Sequence, residues 1–153
     1  MPRLFRSLRS LSAALLLVAL VTGCAVNRQS ANVTEGEDIT QFKSFYVVKF
    51  VDDERGVNRM IQDELIAMGY DASTGPEGAS PEAVDAVVTY IDKWFWDITM
   101  YMLELTITLR DPEDDYPLAI GNSYHTSLTR LSPEEMVQEV LINVMVGPPA
   151  AGS

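Results

Sequence analysis

With 153 residues, 22 of them Asp or Glu against 11 Lys or Arg, the chain is long enough for one domain and carries a formal net charge of −11. That balance excludes nucleic acid as a partner, because such binding needs Lys and Arg to neutralise phosphates. A hydrophobic content of 47%, with two Trp and six Tyr, leaves material for a core and excludes a disordered acidic tail.

The first predicted element is a secretory signal. Arg3, Arg6 and Arg9 precede an apolar run from Leu11 to Val21. The run is too short for a bilayer span of roughly 20 residues and suits the apolar core of a signal peptide. Val21-Thr22-Gly23-Cys24 then closely resembles the lipobox of bacterial lipoproteins, an apolar residue and two small ones before a cysteine. It fits an ordinary small-x-small cleavage site only loosely. The resemblance implies cleavage before Cys24 and acylation of that residue, so the membrane is engaged through acyl chains. Cys24 is also the only cysteine, which rules out an intramolecular disulfide. Ala25 follows, where an aspartate tends to retain Gram-negative lipoproteins of this type at the inner membrane. The resemblance therefore implies the outer membrane of the cell envelope, with the domain facing the periplasm, if the source is Gram-negative.

Removing residues 1–23, which hold three Arg and no acid, leaves 130 residues with 8 basic and 22 acidic side chains, a charge of −14. A basic patch on anionic headgroups is not expected. Lipid is the expected anchor, at about 0.8 kcal/mol per buried methylene.

Residues 24–41 comprise the lipidated cysteine and a polar stretch without apolar periodicity, expected to be a flexible tether. Residues 42–147 are expected to form a single α+β domain, and 148–153 a loose tail. Ser44 to Val51 is dense in β-branched and aromatic residues and predicts a strand. Asp52, Asp53 and Glu54 supply cap and first-turn acids for a helix with Val57, Met60, Ile61, Leu65 and Met68 on one face. Gly69 is its expected C-cap. Tyr70 to Thr74 is a short strand, and 75–81 is loop. Ala86 to Trp96 and Met100 to Arg110 form an antiparallel hairpin across 97–99. In its second arm Tyr101, Leu103, Leu105, Ile107 and Leu109 alternate with more polar residues, predicting one core face. A turn at 111–115 leads to a strand from Leu118 to Leu128, with Gly121 marking a bulge. Ser132, Pro133 and Glu135 announce a capped helix whose stripe is Met136, Val137, Val140, Leu141 and Val144. Gly147 ends it. The order β-α-β-β-β-β-α predicts a mostly antiparallel sheet with two helices packed on one face.

Candidate chemistry is sparse. The acids at 111–115 fail an EF-hand count, because the sixth and twelfth positions from Asp111 hold Tyr116 and Asn122. One histidine and an acylated cysteine cannot build a zinc site. No cofactor or metal is expected, and no catalytic residue is assigned. Gly121-Asn122-Ser123-Tyr124-His125 departs from the Gly-x-Ser-x-Gly elbow at its last position and lies within a meander. Ser123 with His125 is nevertheless the one alternative for a hydrolase. Tyr90, Trp94 and Trp96 share one strand face and form the candidate partner surface, against a simpler role in core and hairpin packing.

The segment Asp85-Ala-Val-Val-Thr-Tyr-Ile-Asp-Lys-Trp-Phe-Trp-Asp97, with the Leu-rich strand after it, gives the element order its resemblance. It is similar to small uncharacterised envelope lipoproteins, the lipopolysaccharide-assembly lipoprotein and the amino-terminal domain of the Tol translocation protein. That resemblance implies an α+β envelope domain and transfers no functional residue. The expected function is a non-enzymatic binding or assembly domain with an envelope protein partner of unknown identity. The alternatives are the Ser123/His125 hydrolase and a carrier of an apolar ligand between sheet and helices.

Overall fold

A computed structural model describes residues 27–79 and 83–147. Cys24 and its lipobox lie outside the described residues, as do 148–153. Eight main elements follow in order: β1 (Asn27–Val33), β2 (Ser44–Lys49), α1 (Val57–Ala67), β3 (Asp71–Pro76), β4 (Ala86–Trp96), β5 (Met100–Arg110), β6 (Pro117–His125) and α2 (Pro133–Met145). The six strands make one open sheet in the order β1-β6-β5-β4-β2-β3. Pairs β1/β6, β6/β5 and β5/β4 are antiparallel. β2 runs parallel to both β4 and β3, with α1 as the crossover. The fold is thus α+β, with both helices on one sheet face over a single core.

The helices begin where local chemistry satisfies their first N–H groups. α2 starts in the expected capping box: Ser132 Oγ accepts from Glu135 N–H, and Glu135 returns a carboxylate to Ser132 N–H. α1 has Gly56 as its N-cap, in the left-handed region at φ 72°. Capping there is done from outside the helix, by Asp53, whose carboxylate accepts from the N–H groups of Arg55, Gly56 and Asn58.

The sheet departs from the predicted pattern in four places. Residues 27–33 are a strand and not part of a flexible tether. β1 pairs with β6 from Asn27↔His125 to Val33↔Ala119. Its NRQSANV sequence hides this, since an edge strand can be held by backbone bonds while contributing little to the core; Ala31 packs there, and Asn143 Nδ2 on α2 donates to Gln29 Oε1 at 2.7 Å. β3 runs on through Gly75 and Pro76, where Tyr46 Oη donates to Pro76 O at 2.8 Å. A Cβ at Gly75 would lie 2.5 Å from that hydroxyl, so only glycine leaves the tyrosine room.

The third departure is a bulge. Lys93 pairs with Glu104 but Trp94 with Met102, leaving Leu103 extra on β5. Met102 therefore enters the core, fully buried, where the alternation predicted Leu103. Finally, the bulge on β6 falls at Leu118, since Leu109 pairs with Ala119 and Arg110 with Pro117. Gly121 is in regular register opposite Ile107. Its lack of a side chain admits α2: a Cβ would lie 2.8 Å from Val140 Cγ1 and closer still to Val144 Cγ2.

Candidate functional site

Ser123 and His125 face α2 on successive inward positions of β6, both buried. Between them and solvent lies Glu139 of α2. Ser123 Oγ–H donates to Glu139 Oε1 at 2.6 Å, and His125 Nε2 lies 3.0 Å from the same oxygen. An ionised carboxylate only accepts, so the ring carries its proton on Nε2. His125 Nδ1 is buried without a partner among the described residues. The group is an acid bridging two strand residues. A nucleophilic serine would instead have to give its proton to the imidazole and face a cleft.

The three aromatics of the candidate surface separate in space. Tyr90 is 3% exposed and belongs to the core, so it offers no surface. Its hydroxyl donates to Asp53 Oδ2 at 2.6 Å, and its ring meets Phe50 edge-on at 5.0 Å. Burial first, then the Asp53 bond and charge, push the Tyr90 hydroxyl well above its usual range. Trp94 packs against the core under Arg55, whose guanidinium stands 4.1 Å from the ring. Trp96 alone of the three is exposed. Strand alternation foresaw their common face but not that the loop leading into α1 covers two of them.

The other sheet face carries no helix, and residues not singled out in sequence converge there. Asn27 to Ser30, Glu104, Asn122 and Tyr124 line a cleft of about 570 Å³. Arg28 stacks over Tyr124, 5.1 Å from the ring centroid. Glu104 is bridged by Lys93 at 2.7 Å and accepts from Asn122 Nδ2 at 3.0 Å. The Lys93 bond, then that of Asn122, hold its carboxyl below the usual range. Thr106 Oγ1 accepts a second bond from Asn122 at 2.9 Å. An aromatic ring, a guanidinium and fixed amide and carboxylate groups can bind a polar ligand or chain; none of them is an activated nucleophile. Only the alternation of β5 and β6 could have signalled this cleft, and half of it comes from the unrecognised β1.

Among the described residues no three His, Cys, Asp or Glu side chains converge as metal ligands. The acids at 111–115 are turn formers: Asp111 Oδ1 accepts from Glu113 N–H at 2.7 Å. Among the described residues no helix is long and apolar enough to cross a membrane.

No family model matches this sequence. Nor does any curated protein. Among solved structures, the PelC dodecamer of Paraburkholderia phytofirmans is 16% identical, with a TM-score of 0.56 over 80% of this chain and 99% of PelC. A variant of the same dodecamer gives 14% identity and 0.53, over 76% and 95%. A minor lipoprotein of Acinetobacter baumannii is 13% identical over 72% and 98%, with a TM-score of 0.42. At these identities the chain shares with PelC its fold.

Proposed function

We propose that this chain is a lipid-anchored outer-membrane protein whose periplasmic domain binds an envelope protein partner through the open face of its sheet, without catalysing a reaction. The observation that carries the binding reading is the division of labour between the faces. Ser123 and His125 both bond Glu139 beneath α2, while Arg28, Glu104, Asn122 and Tyr124 gather on the helix-free side. The space between sheet and helices is filled by Ile61, Leu65, Leu105, Ile107, Met136 and Leu141, all fully buried, which weighs against a carrier. The lipobox at Cys24 supports the anchor.

Two experiments test the halves of this reading. Cys24→Ser is expected to abolish acylation and block normal maturation, read as mature mass and membrane retention; no change in either would overturn the anchor. The acylated protein, purified from membranes beside a Tyr124→Ala variant, is expected to lose its partner in the variant. The expected loss in affinity is about 1 to 2 kcal/mol, roughly tenfold. Identical partners and affinities for both would sink the open-face reading.

A further inference from the structure

The anchor and one end of the sheet are close together. Cys24 is three residues before Asn27, so covalent geometry keeps it within about 11 Å of the start of β1. Asn27 pairs with His125 at the C-terminal end of β6. The antiparallel register puts that end beside the start of β5 and the end of β4, so the 97–99 turn caps the same pole of the sheet. Arg130, from the loop after β6, bonds Thr99 Oγ1 at 2.7 Å and brings Leu128 to the same pole.

Four large apolar side chains are displayed there. Trp96 is 64% exposed, Ile98 85%, Met100 48% and Leu128 75%. The carboxylate in the turn, Asp97, is paired through Oδ2 with Arg130 at 3.3 Å, and its Oδ1 accepts from the turn N–H groups of Ile98 and Thr99. The other meander turn, at the opposite pole, is made of Asp111, Glu113, Asp114 and Asp115. A membrane surface with anionic lipid would repel that second turn and accept the first. Tryptophan beside aliphatic side chains is the composition of groups that settle at the boundary between headgroups and acyl chains.

We infer that the β4–β5 turn, with Trp96, Ile98 and Met100, and Leu128 beside it, seats in the bilayer surface next to the acylated Cys24. The contact fixes the orientation of the domain; the acyl chains supply the attachment. It rests on the proposed anchor, and the experiment separates the two. Full-length mature protein is purified from membranes, its acylation read by mass spectrometry, and reconstituted into phosphatidylethanolamine–phosphatidylglycerol vesicles with acyl chains brominated near the headgroup. Trp94 and Trp96 are the only tryptophans, so Trp94→Phe and Trp96→Phe each report on one ring. The Trp94→Phe protein is expected to show blue-shifted emission quenched by the bromolipid. The Trp96→Phe protein is expected to show no such quenching, and Ile98→Asp added to Trp94→Phe is expected to abolish it. Acylated protein whose Trp96 is unquenched overturns the seated turn and leaves the anchor standing. A blue shift without quenching also overturns it, since protein and not lipid would then cover the ring. Absence of acylation, by contrast, defeats the anchor itself.

Discussion

Asp53 shows how much one side chain can organise. Its carboxylate closes the entry to α1 and also receives the buried Tyr90 hydroxyl, tying the loop to the middle of β4. Burial alone would raise its pKa, but the Tyr90 bond and the N–H groups of the α1 entry outweigh it, and the carboxyl lies below its ordinary 3.8. A carboxyl lowered in the fold contributes stability that is complete above its unfolded value and is lost as pH falls through the folded one. Tyr90→Phe is therefore expected to cost about 1 kcal/mol at pH 7, the partial exposure of Asp53 holding the figure down. The difference from the parent should shrink once pH falls below the ordinary carboxylate value. Urea unfolding at pH 7 and in acid measures both; an equal loss at the two would place the cost in packing and not in the charged bond. The sequence points to Asp53 as a cap, and to Tyr90 as either a surface ring or a packed one. The first is right in kind, and the burial of Tyr90 selects packing, a choice that strand alternation could not make because it cannot tell which loops lie over a face.

At the scale of elements, helix α2 is the best specified, since Ser132, Pro133, Glu135 and the Met136-to-Val144 stripe agree with one another and with the structure. Its docking depends on Gly121, where Val140 and Val144 come nearer than a side chain allows. Gly121→Ala is expected to destabilise the domain by about 1 to 3 kcal/mol through overpacking. The midpoint of denaturant unfolding reads it, and an unchanged midpoint would mean that α2 yields freely. β1 is the least legible element. Its seven residues offer the core little beyond Ala31, so no apolar period announces them, and their order depends on the free edge that β6 supplies. The bulge at Leu103 was hidden for a related reason: a regular alternation leaves no trace of where pairing skips.

Over the whole molecule, every main element but β1 was legible, because strand composition and helix capping are local. The site was not. The open-face cleft draws on β1, β5 and β6, whose neighbouring positions arise from pairing across as many as 98 residues of chain, as for Asn27 and His125. The two poles of the meander follow the same logic: the contrast between an apolar turn and an acidic one is plain in the residues, but only the register sets one at the Asn27 end of β1 and the other away from it.

The position of β1 also orders events in time. Its partner strand is made only after the rest of the sheet, so residues 27–33 stay unpaired until nearly the entire domain has been synthesised. On the anchored reading, Cys24 is then followed by unpaired chain during that interval. Once β6 closes on β1, the cleavage point stands three residues from a zipped edge. On that reading, lipid attachment and processing have their widest access before the last strand docks.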